Sequence, residues 1–168
     1  MMKKIALLLA CTLFILPCLT ACGKPAEEKT TGMPNPMVSV EGAKDFEGIG
    51  LVLNAPEGAA DIKYYIIDKT LAHIDFKLAD KNYIYRCAKT TDDITGVYDE
   101  FKAEPISQKV QVGENTAEIT IKTTADSARL ATWVWGDISY SLFARDGMTD
   151  DEIKALSKTL AESDCPIK

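Results

Sequence analysis

The chain has 168 residues, 46% hydrophobic, 26% charged and 8% aromatic, which is the balance of one ordinary globular domain. A formal charge of −6 excludes the basic face that a nucleic-acid binder needs, and a single histidine excludes a multi-histidine metal site. The charge is uneven: residues 1–21 hold two lysines and no acid, so the remaining 147 carry 17 basic and 25 acidic residues, a net −8.

Met1-Met2-Lys3-Lys4 is a short basic segment, and Ile5 to Leu19 is a 15-residue uncharged, mostly apolar run. A positive end followed by a short apolar stretch predicts a secretory leader over 1–21. The run is shorter than the roughly 20 residues of a comfortable membrane span. Leu19-Thr20-Ala21-Cys22 then resembles the lipobox of bacterial lipoproteins. Small residues before the cysteine would admit a lipoprotein signal peptidase. The Cys22 thiol would take a diacylglyceryl group, whose two acyl chains meet the requirement for stable anchoring. This predicts an extracytoplasmic protein held at the cell membrane by N-terminal lipid.

Residues 22–37 read as the lipidated cysteine and a tether, because Gly23 to Met37 is polar, with three prolines and two glycines. The domain is expected over 38–168. A short helix is predicted first, capped by Ser39, with Val40, Ala43 and Phe46 on one face and Gly48 and Gly50 at its end. The period then changes to two. In Leu71–Leu78, Ala72, Ile74, Phe76 and Leu78 share one face, while His73, Asp75 and Lys77 share a wet one. Strands are also predicted over Asp61–Ile67, Tyr83–Ala88, Gln108–Val112, Thr116–Lys122, Arg129–Trp135 and Ile138–Ala144. Asp68-Lys69-Thr70, Ala79-Asp80-Lys81, Gly113-Glu114-Asn115 and Gly136-Asp137 read as hairpin turns. Thr149-Asp150-Asp151-Glu152 is a capping box opening a helix with Ile153, Leu156 and Leu160 as its apolar stripe, and Pro166 bars its continuation. The expected fold is α+β: a twisted antiparallel meander of about seven strands, packed on one face by the C-terminal helix and the short N-terminal one.

Of the five cysteines, Cys11 and Cys18 leave with the leader and lipid consumes Cys22. Cys87 and Cys165 remain, in a compartment where disulfides persist. A bond between them would close a loop of about 80 residues and add roughly 4–5 kcal/mol. The alternative is two unpaired thiols, one of them buried.

Catalytic chemistry finds little support. His73 lies between polar neighbours and reads as a solvated surface residue without triad partners. Asp92, Asp93, Asp99 and Glu100 surround Gly96 as an acidic turn, at spacings that do not match an EF-hand. No metal ligand set and no cofactor motif is present in the sequence. Trp133, Trp135, Tyr140 and Phe143 concentrate aromatic surface in one hairpin, either as two-sided core or as an exposed partner or ligand surface.

Three stretches, YRCAKTTDDITGVYDEF (Tyr85–Phe101), ATWVWGDISYSL (Ala131–Leu142) and GMTDDEIKALSKTL (Gly147–Leu160), resemble an uncharacterised domain family of Firmicutes-type cell-envelope lipoproteins. The family also occurs outside the membrane in anti-sigma-factor-like proteins. The resemblance implies an extracytoplasmic sheet-and-helix domain with no established activity and no catalytic residues. Cys87 departs from the family pattern, so a Cys87–Cys165 bond would be particular to this chain. Arg86, Asp93 and Gly96 read as a structured turn after a strand. The resulting expectation is a non-enzymatic, membrane-anchored protein that binds a protein or peptide through its sheet. The alternatives are a carrier or sensor of a lipid or other apolar ligand in a groove between sheet and helix, and a hydrolase built on two facing carboxylates.

Overall fold

The alternating segments fold into eight strands: β1 (Met37–Val40), β2 (Ala60–Ile67), β3 (Leu71–Leu78), β4 (Lys81–Ala88), β5 (Ile106–Val112), β6 (Asn115–Thr123), β7 (Arg129–Trp135) and β8 (Ile138–Ala144). A helix, α1 (Asp150–Asp164), follows. This is a computed structural model, and it describes residues 36–102 and 104–165. The expected leader, Cys22, most of the expected tether and Pro166 lie outside the described residues.

All strands pair antiparallel in one sheet of order β1-β2-β3-β4-β8-β7-β6-β5. The expected α+β fold, an antiparallel sheet packed by the C-terminal helix, is found, with eight strands and a connectivity that departs from one continuous meander. Two four-strand meanders are joined side by side where β4 pairs with β8. Residues 89–105 must cross from β4, beside β8, to β5 at the far edge.

The predicted N-terminal helix also changes. Met37–Val40 forms a strand on β2, so Ser39 caps nothing, and a 3₁₀ helix occupies only Ala43–Ile49. The Asp45 carboxylate accepts from Glu41 N (2.8 Å) and Gly42 N (3.1 Å) to start it, and Gly50, at φ 71°, ends it.

The short connections keep register. The β3–β4 turn is Ala79-Asp80, at φ 48° and 62°, which is the left-handed pair of a two-residue hairpin. Alanine gains nothing from that region, whereas Asn-Gly adopts it readily. The double substitution Ala79→Asn, Asp80→Gly is expected to raise stability by up to ~1 kcal/mol. A higher urea midpoint with an unchanged slope would show it.

One face of the sheet is covered by α1 over β5, β6 and β7 and by residues 46–53 elsewhere. The capping box forms: Glu152 N donates to Thr149 Oγ1 (3.2 Å), and Thr149 N donates to Glu152 Oε2 (2.8 Å). Helical spacing turns Ile153, Ser157, Leu160 and Ala161 onto the sheet. There they meet a stack of three rings. Trp133 and Tyr140 lie 5.3 Å apart and nearly parallel, with Tyr85 at 5.9 Å and 6.4 Å from them. Leu51, Leu53 and Phe46 from the segment before β2 complete this core.

Candidate binding groove on the outer face of the sheet

The opposite, outer face of the sheet is where sequence and structure part. Register aligns one transverse row across it: Tyr65, His73, Arg86, Ser141, Thr132 and Thr120. The row is polar, yet His73 is 2% exposed, and Ser141 is buried with it. The expectation of a solvated His73 is thus corrected. Arg86 and Tyr65 flank the ring, and the crossover loop is fastened to Arg86.

That loop can be followed strand by strand. Ser139 Oγ on β8 donates to Thr90 O (2.6 Å). Arg86 Nη1 donates to Ile94 O (3.2 Å) and Thr95 O (2.8 Å). Val97 packs with Phe143, Leu130, Ala128 and Ile84 in a small second core. Lys102 N then donates to Thr123 O (2.9 Å), beside β6. A connection this long without secondary structure is uncommon and more often functional than not.

Arg86, Asp93 and Gly96 build its central turn. Thr95 N donates to Asp93 Oδ1 (2.8 Å), and the Thr95 hydroxyl and backbone hold the Asp93 carboxyl below the usual range. Gly96, at φ 57°, lies so close to the Arg86 guanidinium that a Cβ would overlap it.

His73 is clamped at both nitrogens. Arg86 Nε donates to Nδ1 (3.0 Å), so the ring proton sits on Nε2, which donates to Asp75 Oδ1 (2.9 Å). Tyr65 closes the site edge-on at 5.5 Å. Burial lowers the His73 pKa, and the neighbouring Asp75 only partly offsets it. Neither nitrogen is left for a base or a ligand in this arrangement.

Between the loop and β6–β8 lies an open groove of about 640 Å³. Thr91, Asp92 and Asp93 form one wall. Thr116, Glu118, Thr120, Thr132 and Val134 form the floor and the other side. Val134 is 60% exposed, and no lysine or arginine is among the described residues that line the groove. Such a surface offers hydrogen-bond acceptors and negative charge, with Val134 as its exposed apolar side chain.

The aromatic residues of the β7–β8 hairpin do not form a shared outward surface. Trp133 and Tyr140 are core residues facing α1, Trp135 is half-buried on that same side, and strand parity turns Phe143 to the outer face under the loop. The inner face of this hairpin is covered along its length, and the outer face is covered at Leu130 and Phe143 and open at Val134. The space between sheet and α1 is filled by these rings with Leu142, Ile153 and Leu160.

Cys87 and Cys165 are free thiols, both buried, so the disulfide left open by the cysteine count is not formed. The Cys87 thiol donates to Val52 O (3.9 Å), and burial pushes it up to about 12. Burial likewise pushes Cys165 to about 11, with Trp133 Nε1 facing it without closing a good hydrogen bond. Beside them Asp164, at the end of α1, accepts from Asn54 Nδ2 (3.0 Å) and Asn54 N (3.2 Å). Burial still raises its pKa. These contacts fasten residue 54 to the helix end and are structural.

Asp92, Asp93, Asp99 and Glu100 do not converge on a cation: among the described residues no three acidic, histidine or cysteine side chains group closely enough to hold one. Among the same residues no helix is long and apolar enough to cross a membrane. No family model, no curated protein and no solved structure matches the chain.

Proposed function

We propose that this is a cell-envelope lipoprotein, anchored by a diacylglyceryl group on Cys22, whose sheet domain binds an extended, lysine- or arginine-bearing protein segment. The observation that carries the binding reading is the groove beneath the crossover loop. It combines hydroxyls and the carboxylates Asp92, Asp93 and Glu118 with an exposed Val134. A peptide backbone finds hydrogen-bond partners there, and a cationic side chain finds opposite charge. The filled space between sheet and α1 weighs against an apolar carrier.

The anchor is tested by Cys22→Ala, which is expected to leave the chain unprocessed or release it from membranes. Unchanged membrane retention at unchanged mass would contradict it. The groove is tested with a photo-crosslinking amino acid at Val134 in native membranes. The expected result is a polypeptide adduct that Glu118→Lys abolishes while the fold persists. No adduct, or one indifferent to Glu118→Lys, would overturn the reading.

A further inference from the structure

We propose that the His73–Arg86 contact is an acid-sensitive latch: protonation of His73 detaches Arg86 and frees the crossover loop from the outer face of the sheet. The inference stands on the loop's attachment and not on the groove having a ligand, so either can fail alone.

The geometry at Nδ1 carries it. Arg86 Nε donates to that nitrogen at 3.0 Å, and the nitrogen accepts only while it lacks a proton. Protonation places two donors and two positive charges against each other with no acceptor between them. His73 cannot retreat, because it sits inside β3 with Nε2 bonded to Asp75 and Tyr65 against its ring. The longer Arg86 side chain is the part that can move. Its Nη1 holds Ile94 O and Thr95 O, and Gly96 packs on the same guanidinium. When the guanidinium leaves, the middle of the loop loses both carbonyl contacts and is held only by the packing of Val97 on Leu130 and Phe143. Its ends remain fixed at Thr90 and at residues 100–102.

The charges around the latch are few. Asp75 faces His73 from its own strand and favours the imidazolium, and Lys63 stands opposite Asp75 on β2. Arg86 opposes the imidazolium from β4. Asp93 and Tyr98 from the loop and Arg145 after β8 act on Arg86. Burial outweighs Asp75, so the ring stays neutral to a lower pH than a free histidine. Detaching Arg86 removes the charge that opposes the imidazolium and admits water to the ring, which raises its basicity. The open form therefore binds more protons than the closed one below about pH 6.5, and acid favours opening. Asp93 does not confuse the window, because Thr95 holds its carboxyl below the usual range.

The test is amide hydrogen exchange on the full-length protein in detergent, from about pH 6.5 to about pH 4.5, corrected for intrinsic rates. Residues 90–99 are expected to exchange progressively faster as the pH falls, by at most about tenfold for each pH unit, while β3 and β4 keep their protection. His73→Asn places an amide oxygen near the Nδ1 position, where it still accepts from Arg86 but does not titrate, and is expected to abolish the acceleration. A loop indifferent to acid, equal acceleration in the loop and both strands, or a His73→Asn variant as acid-sensitive as the parent would overturn the latch. If His73→Asn does not fold, the ratio of loop to strand exchange in the parent protein decides.

Discussion

Trp133→Ala is expected to destabilise the protein by about 3–5 kcal/mol, the largest single effect of any substitution considered. The ring is 3% exposed and stacks against both Tyr85 and Tyr140. Its removal costs the transfer energy of a large apolar group and leaves a cavity that a sheet on one side and α1 on the other cannot collapse to fill. The two tyrosines also lose a ring partner. Equilibrium unfolding in urea checks this: the midpoint should fall with an unchanged slope. A loss under about 1 kcal/mol would mean that the ring is at the surface.

The second large effect is expected on the other face. Arg86→Met should cost about 2–4 kcal/mol, although methionine fills much of the same space. Three acceptors lose their donor together: His73 Nδ1, Ile94 O and Thr95 O. Each sits in or under the loop, where water replaces the arginine poorly. Arg86→Lys keeps the charge but not the fork, so it cannot reach His73 and both carbonyls together, and an intermediate loss is expected. Limited proteolysis should cut both variants within residues 90–99 before any strand is cut. Equal stability of Arg86→Met and the parent protein would contradict the described attachment.

These two residues also mark what could be read from the chain. Leu71–Leu78, Arg129–Trp135 and Ile138–Ala144 have the bounds their alternation predicts, because period two and the adjacent turn residues are local signals. The capping box at Thr149 is equally local. Met37–Val40 misled, since Val40, Ala43 and Phe46 fall at helical spacing while Val40 is in fact held by β2. The β4–β8 pairing joins strands 50 residues apart, and no short-range signal announces it.

The outer face was hidden for the same reason. His73 sits between polar side chains, which on one strand reads as wet. Its neighbours are Arg86 on the next strand and Tyr65 on the one before, and Arg86 is in turn held by two backbone carbonyls of the loop. A polar residue enclosed by an arginine and a tyrosine from other strands leaves no apolar pattern. The clue available was Gly96 ten residues after Arg86, and its meaning depends on the guanidinium packed against it. The groove likewise draws on Asp92 and Glu118, which are brought together only by the crossover.

The organised outer face is the claim on which groove and latch both depend, and the imidazole itself reports on it. The chain has one histidine, so selective ¹⁵N labelling gives the signals of His73 alone. The structure predicts a neutral ring at about pH 7, protonated at Nε2, with Nδ1 as a hydrogen-bonded acceptor and a titration midpoint below the ordinary ~6.5. Averaged tautomers with a midpoint at about 6.5 would mean a solvated histidine and an uncovered face, and would contradict the account.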